Sequence, residues 1–229
     1  MQSSAEQTSF KQLDSQAAPI AIFKLIVIGD SGIGKSTFIN KFSTEILEEL
    51  VINDQKITVH KTRFPTSIGD IQFNIWDLDA ASVETESSEE FFAGADCAIL
   101  MFDVTSRLSY KNTPFWFNKI RDSNQHELPP TIMVGNKADV ENRKVKLKQI
   151  TFHRKKNLAY NDVSAEANYE IEKPFIHLAK RLAKEQDLSL VESPVVQPPG
   201  IMMDKTLIKS LEAQRQDLEA PVLFEDDDL

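Results

Sequence analysis

The sequence predicts an α/β fold with a mostly parallel β-sheet. Strand-like and helix-like segments alternate from about residue 20 onward, as they do in parallel sheets whose strands are joined by helices. Three apolar runs are short and continuous, as strands buried on both faces are; they cover residues 20–28, 97–103 and 131–135. A glycine-rich turn follows the first run and leads into a helix-like segment, which is the order of a phosphate-binding loop.

Shorter patterns predict the remaining elements. Residues 70–76 alternate between apolar and polar side chains, which predicts a half-buried strand in a hairpin with residues 57–64. Residues 158–162 are also strand-like. Helices are predicted near residues 35–47, 107–122, 147–156 and 170–186.

The chain has 229 residues, enough for one domain of about 170–180 residues and a tail. Three prolines between residues 194 and 199 predict an extended linker, and Asp204 is a suitable cap for a last helix. The predicted parts are a flexible arm at 1–19, a globular domain at 20–190, a Pro-rich linker at 191–203, a helix at 204–220 and an acidic tail at 221–229.

The composition is that of a soluble globular protein, with 41% hydrophobic and 27% charged residues. No apolar run approaches the roughly 20 residues of a membrane span, and the polar first 19 residues do not fit a secretory signal. Cys97 is the only cysteine, so no intrachain disulfide forms and a reducing compartment is expected. The net charge of −9 argues against nucleic acid as the main partner.

Residues 29–36 match the phosphate-loop pattern G-x-x-x-x-G-K-[ST]. Gly32 and Gly34 allow the backbone to curl so that successive N–H groups point at one anion, and the following helix adds its positive dipole end. Lys35 is expected to reach the β- and γ-phosphates, and the Ser36 hydroxyl to bind Mg²⁺. The predicted nucleotide contacts are Asp30, Ser31, Gly32, Ile33, Gly34, Lys35, Ser36 and Thr37.

A second motif, N-K-A-D at residues 136–139, follows a strand at the edge of the sheet where α/β proteins bind ligands. The Asp139 carboxylate can accept hydrogen bonds from N1–H and N2–H₂ of guanine, a donor pair that adenine lacks. Lys137 is placed to lie along the ring, and Asn136 to tie this loop to the phosphate loop. Backbone N–H groups of residues 164–166 are predicted to contact the guanine O6. The predicted base contacts are Asn136, Lys137, Asp139, Ser164, Ala165 and Glu166.

The phosphate loop, the N-K-x-D motif and the Ser-Ala pair, in this order, resemble the Ras-like small GTPases. Over roughly residues 20–229, the sequence resembles one branch of that family, the Ran type, more closely still. The similar segments are FKLIVIGDSGIGKSTF, IQFNIWD, DCAILMFDVTSRLSYKN, VGNKADVENRKVK, FHRKKNLAYNDVSAEANYEIEKPF and the ending EDDDL. The resemblance implies a six-stranded G domain, binding of GTP or GDP with Mg²⁺, and transport across the nuclear pore with karyopherins.

The two switch segments depart from the family pattern. By the family's spacing, Asp54 stands where the first switch offers a threonine to Mg²⁺; Thr58 is a substitute only if that loop shifts. Asp77 keeps the role of holding Mg²⁺ through water. Ala80 replaces the glycine whose N–H contacts the γ-phosphate, and Ala81 replaces the glutamine that orients the attacking water. The predicted metal residues are therefore Ser36 and Asp77, with Asp54 as a further candidate, and no catalytic residue is intact.

Two further departures are acidic. Residues 84–90 hold four carboxylates, and Glu84 stands where Ran proteins offer an aromatic side chain to their import carrier. Glu166 stands where the family has a lysine and weakens the packing on guanine slightly. Because the switch changes cluster at the γ-phosphate and spare the base side, we expect nucleotide binding to be kept and hydrolysis to be slow or lost.

Charge patterning indicates the partners. Residues 143–156 hold seven cations and no acid, whereas residues 225–228 are all acidic. The resemblance implies karyopherin-type receptors and Ran-binding domains that contact these two segments, together with a nucleotide exchange factor. No membrane and no direct nucleic-acid contact is expected, the chain is expected to be a monomer outside its complexes, and its location is expected to be nucleus and cytoplasm.

Two functions remain open at this point. The first is a GTP-binding switch of the Ran type in nucleocytoplasmic transport, with slow or lost hydrolysis. The second is a pseudo-GTPase scaffold that binds transport receptors in any nucleotide state. An ATP-using P-loop enzyme is a third class, which Asp139 disfavours.

Overall fold

The computed structural model describes residues 18–52, 55–78, 80, 89–124 and 127–219. The acidic tail and all but the last two residues of the N-terminal arm lie outside these ranges, as do Asp54, Ala81 and Glu84. None of the helices in the described ranges is long and apolar enough to cross a membrane.

Seven strands of the described chain form a single sheet. They are β1 (Ala21–Ile28), β2 (Glu45–Ile52), β3 (Gln55–Thr66), β4 (Gly69–Asp77), β5 (Cys97–Asp103), β6 (Thr131–Asn136) and β7 (Ala159–Asp162). The order across the sheet is β2-β3-β4-β1-β5-β6-β7. Four of the six neighbouring pairs are parallel, and only β2–β3 and β3–β4 are antiparallel. The predicted α/β class with a mostly parallel sheet is confirmed, as is the hairpin of residues 57–64 with 70–76.

Helices cover both faces of the sheet. They are α1 (Lys35–Asn40), α2 (Glu89–Phe92), α3 (Arg107–Lys111), α4 (Thr113–Ser123), α5 (Phe152–Lys155), α6 (Lys173–Ala183) and α7 (Lys205–Glu219), with a 3₁₀ turn at Leu147–Gln149. Two predicted helices are interrupted. Residues 107–122 split at Asn112, which ends α3 and precedes Pro114 at the start of α4. Residues 147–156 split at Ile150 into the 3₁₀ turn and α5.

Two expectations were wrong, and both concern residues 41–52: the sheet has seven strands instead of six, and the helix predicted over residues 35–47 is shorter. Helix α1 ends at Asn40, and Glu45–Ile52 forms the additional strand β2. This segment pairs antiparallel with β3 along its length, and an ion pair of 2.6 Å joins Glu45 to Lys61 across the two strands. Pairing with the next strand along the chain, β3, thus outweighs the local helical spacing of this stretch.

The core has two halves, one on each face of the sheet. In β1, Leu25 and Val27 belong to one half, and Ile26 and Ile28 to the other, as the two-residue period of a strand requires. Phe175 of α6 is at the centre of the first half. Its ring packs against aromatic rings from α1, β3 and β4 and from the turn after α1, with centroids 4.6–5.8 Å away. The second half contains the buried side chains of α2 and α4.

The chain after α6 runs back over the domain. The Val196 N–H donates to the Lys41 carbonyl at 2.8 Å, and the Gly200 N–H donates to the Glu166 carbonyl at 2.8 Å. Helix α7 follows, and Asp204 caps it by accepting a hydrogen bond of 2.6 Å from the Thr206 N–H. Leu211 of α7 is only 4% exposed, so the helix packs against the domain.

Candidate nucleotide-binding site

The loop between β1 and α1 has a backbone that favours glycine. Gly29, Gly32 and Gly34 have φ angles of 149°, 73° and 93°, which L side chains rarely adopt. A Cβ on Gly34 would lie 2.6 Å from Nδ2 of Asn136, and a Cβ on Gly29 would lie 2.2 Å from the Met101 carbonyl oxygen. The glycines therefore allow both the curl of the loop and its close approach to β5 and β6.

Lys35, the first residue of α1, turns its side chain back along this loop. The residue is 6% exposed, and its Nζ donates to the carbonyl oxygens of Gly29 at 2.9 Å and Asp30 at 2.8 Å. Lys35 also lines the cavity beside the loop. The ammonium group thus adds fixed positive charge next to the loop's N–H groups, as a phosphate site needs.

A cavity of about 430 Å³ opens beside the phosphate loop. It is lined by Ser31, Gly32, Gly34, Lys35, Ser36, Thr37, Thr58, Asp77 and Leu78. Of the predicted loop contacts, all but Asp30 and Ile33 lie on its wall. Ile33 is 3% exposed and offers its carbonyl to Asn136, whereas the Asp30 carboxylate accepts hydrogen bonds from α4 and from the residue before it.

The cavity wall includes the two side chains that the sequence predicts to hold a magnesium ion, Ser36 and Asp77, and the substitute Thr58. Ser36 lies at the start of α1, and Asp77 ends β4 directly opposite Thr58 of β3. Hydroxyl and carboxylate oxygens suit Mg²⁺, which proteins hold through one or two side chains together with phosphates and waters. A bound ion would supply positive charge beside the phosphates.

The first-switch candidate Asp54 lies outside the described residues. Of the described residues of β3, Thr58 is the one that lines the phosphate cavity.

A second cavity, of about 250 Å³, adjoins the first and shares Gly34 and Thr37 with it. Its other lining residues are Asn136, Lys137, Asp139, Ala165 and Glu166. The structure therefore brings together the two motifs that the sequence predicts to bind the base, beside the loop predicted to bind the phosphates.

Asn136 joins three segments of the site. This residue is 1% exposed; its Nδ2 donates to the Ile33 carbonyl at 2.8 Å, and its Oδ1 accepts from the Ala165 N–H at 3.0 Å. The predicted tie between the base motif and the phosphate loop is thus present. Lys137 adds a second tie, because its Nζ donates to the Gly32 carbonyl at 3.0 Å and pairs with Asp103 at 2.8 Å.

Asp139 is held by Ser164, whose hydroxyl donates to its Oδ1. Ser164 is fully buried and also accepts a hydrogen bond of 3.0 Å from the Ala167 N–H, so it orients the aspartate from behind. The N–H groups of Ser164 and Ala165 donate to Tyr169 and Asn136. A contact of this loop's N–H groups with the guanine O6 therefore stays a prediction.

Sequence reasoning missed three residues that hold the site. Asp103 pairs with Lys137, and Asn112 and Trp116 bind the Asp30 carboxylate. Asp103 carried a signal, since it ends β5 at the ligand-binding edge of the sheet and lies opposite Asn136 in register. Asn112 and Trp116 carried no signal in the sequence. Their spacing of four residues predicts a common helix face, but it does not predict that this face contacts Asp30.

The site consists of a glycine loop with a buried lysine, an adjoining cavity with a carboxylate aimed into it, and an asparagine that joins the two. The profile of the Ras family matches residues 24–184, more than half of the chain. The chain belongs to the Ras family. It is therefore a GTP-binding protein of the small-GTPase class, a class that binds GTP or GDP with Mg²⁺.

The second switch of this Ras-family protein is described only at its start. Asp77 and Leu78 line the phosphate cavity, and Ala80, at the position of the family's glycine, is 7% exposed. Ala81, at the position of the water-orienting glutamine, lies outside the described residues, and an alanine side chain has no polar group at any position.

The basic segment of this Ras-family protein is not uniformly a surface feature. Arg143 turns inward and forms two hydrogen bonds of 2.8 Å with Asp162, beside the Tyr160 hydroxyl. Burial raises the pKa of Tyr160 well above its ordinary value. The other six cations of the segment are exposed; they are Lys144, Lys146, Lys148, Arg154, Lys155 and Lys156. Six of the seven predicted surface charges therefore remain available to a partner.

Proposed function

We propose that this protein is a Ran-type GTP-binding protein of nucleocytoplasmic transport, present in nucleus and cytoplasm, in which GTP hydrolysis is slow or lost. Its partners are karyopherin-type receptors, Ran-binding domains and a nucleotide exchange factor. The observation that carries the proposal is the C-terminal extension, residues 191–219, which follows the matched family segment and packs back onto the domain.

The contacts of this extension are specific. Arg215 of α7 is 3.4 Å from the Glu170 carboxylate, and Leu211 is buried. Arg215 also shares a cavity of about 280 Å³ with Leu147 and Arg154 of the basic segment. An extension docked beside a basic surface supports the proposal, because a partner that captures the helix and tail gains access to that surface.

Slow hydrolysis follows from the second switch. Catalysis in this class depends on a side chain that orients the attacking water and on groups that stabilise charge at the γ-phosphate. Ala81 supplies neither, and Ala80 replaces a glycine beside it. Binding is supported independently of hydrolysis, since two adjoining cavities are lined by the base motif and by most of the loop residues predicted to contact the phosphates.

Single-turnover GTP hydrolysis tests the enzymatic part of the proposal. We expect a rate at least about tenfold below the roughly 10⁻⁴ s⁻¹ of an ordinary small GTPase without its activator. The double variant Ala80→Gly with Ala81→Gln should raise that rate, whereas Ala213→Gln on the exposed face of α7 should leave it unchanged. A wild-type rate at or above the ordinary value would contradict the proposal.

Receptor pull-down tests the transport part and separates it from the scaffold function. One observation favours a scaffold: strand β2 continues to Ile52 and is paired with β3 up to the first-switch segment. A switch should bind karyopherin-type receptors more strongly with a non-hydrolysable GTP analogue than with GDP. Equal binding in both states would support the scaffold, and no binding in either state would overturn both.

A further inference from the structure

The phosphate loop contains an aspartate, although the loop is built to bind anions. A carboxylate that faced the phosphates would repel them. In this structure Asp30 does not line the phosphate cavity. Its Oδ1 accepts a hydrogen bond of 2.6 Å from Nε1 of Trp116, and its Oδ2 accepts one of 2.8 Å from Nδ2 of Asn112.

The two donors are fixed by the elements that carry them. Trp116 is 2% exposed and belongs to the second half of the core. Asn112 lies between α3 and α4, and its spacing of four residues from Trp116 places both on one face. Helix α3 is itself anchored to β5, because the Ser109 hydroxyl donates to the Asp103 carbonyl at 3.2 Å and accepts from the Asp103 N–H at 3.1 Å.

We propose that Asn112 and Trp116 are positioning residues for the phosphate loop. By holding the Asp30 carboxylate, they fix the first part of the loop and keep its negative charge away from the phosphates. Asn136 and Lys137 hold the loop further along, at Ile33 and Gly32. A loop held at several points loses less conformational entropy when a phosphate binds, so the positioning residues raise the affinity for nucleoside diphosphates and triphosphates. The proposal rests on nucleotide binding and not on the transport role.

A charge swap tests this directly. Asn112→Asp places a second carboxylate against Asp30 and should weaken GDP binding by about tenfold or more. Aspartate is a favourable residue before a helix, so α4 should be retained in this variant. Adding Asp30→Asn should restore binding to within about threefold of wild type, because the new amide donates to residue 112 and still accepts from Trp116.

Trp116→Phe provides a second, independent variant, since it removes the N–H donor and keeps an aromatic ring in the core. We expect weaker GDP binding and an almost unchanged affinity for GMP, which lacks the β-phosphate. Phe117→Leu is the matched control on the same helix, and it should leave the ratio of GDP to GMP affinity unchanged.

Competition against a fluorescent GDP, after the bound nucleotide has been stripped, measures all of these affinities. Wild-type GDP binding by Asn112→Asp, or failure of the swap to restore binding, would overturn the proposal. Equal losses for GDP and GMP in Trp116→Phe would do the same. A wild-type protein that binds no GDP would overturn nucleotide binding itself, which distinguishes the two failures.

Discussion

At the scale of single residues, we expect the choice of base to depend on the orientation of Asp139. Ser164 donates its hydroxyl to one carboxylate oxygen from the buried side, and the aspartate lines the base cavity. A carboxylate held in this way accepts from adjacent donors on guanine, and against another base it would be left unpaired. We therefore expect recognition of the base to be concentrated in Asp139 and in Ser164 behind it.

Asp139→Asn is the cleanest test of that role. The amide oxygen still accepts from Ser164, whereas the amide nitrogen no longer accepts from guanine. We expect GDP affinity to fall by about a hundredfold or more, and xanthosine diphosphate affinity to rise, because xanthine carries a carbonyl where guanine has its amino group. Competition binding of the two diphosphates measures the change.

The matched control is Glu166→Gln, which makes the same change from carboxylate to amide in the same cavity. It should leave the ratio of the two affinities within about threefold. If Asp139→Asn kept the wild-type preference for GDP, the base would not be read by this carboxylate.

The pairing partners and the exposure of charged side chains are not predicted by the sequence alone. Arg143 and Lys144 are adjacent cations in the sequence, yet Arg143 forms a bidentate pair with Asp162 and Lys144 is exposed. The sequence predicts Asp30 as a nucleotide contact, whereas in the structure its carboxylate lies off the phosphate cavity and accepts hydrogen bonds from Asn112 and Trp116, about 80 residues away. A sequence motif predicts which segment forms a loop. The residue that pairs with a charged side chain depends on the tertiary structure, which the motif does not contain.

At the scale of elements, the sequence predicts best where one segment determines its own structure. The apolar runs of β1, β5 and β6 are short and continuous, as strands buried on both faces are, and the structure confirms all three as strands. Residues 45–47, the start of strand β2, are predicted as the end of a helix and the rest of β2 is not predicted, because the strand depends on pairing with β3. The break between α3 and α4 has a local cause, because Pro114 has no backbone N–H to continue the helix. Its position was nevertheless not predicted.

Helix α7 offers a test at this scale, because its stability depends on docking. An isolated helix of 15 residues is marginal in water, so α7 needs the apolar contact of Leu211. Leu211→Asp places a charge at that contact and should release the helix. We expect amide hydrogen exchange within Lys205–Glu219 to become at least about tenfold faster, with little change in the strands.

Ala213→Asp introduces the same side chain on the exposed face of α7, and it is the control for helix propensity and charge. Its exchange rates should stay close to wild type. Equal acceleration in both variants would mean that Leu211 does not hold the helix to the domain.

At the scale of the whole molecule, one half-buried cation connects pH to global stability. Lys24 of β1 lies with its Nζ 3.7 Å from the centroid of the Trp76 ring and 2.8 Å from the Ala93 carbonyl oxygen. Burial lowers the pKa of this lysine to about 8, against the opposing effect of the nearby Asp96 carboxylate. The folded protein therefore carries a lysine that gives up its proton more readily than in the unfolded chain.

The direction of the pH dependence follows from proton counting. Between pH 8 and the unfolded pKa of 10.5, the unfolded chain binds a proton at Lys24 that the folded protein has released. The free energy of unfolding should therefore rise with pH in this window, relative to Lys24→Met. Because the side chain is only half-buried, solvent screening limits the gain to the order of 1 kcal/mol.

Urea denaturation at pH 7.5, 8.5 and 9.5 measures the effect for wild type, Lys24→Met and the control Lys155→Met, whose parent lysine is exposed. Cys97 and Tyr160, whose pKa values are raised by burial, act in the opposite direction as the unfolded side chains ionise, and their contributions cancel in the differences between variants. The difference between wild type and Lys24→Met should grow in favour of wild type, and that between wild type and Lys155→Met should stay constant. A constant difference for Lys24→Met would mean that the lysine keeps its proton throughout, and that the ring and the carbonyl together stabilise its charge as well as water does.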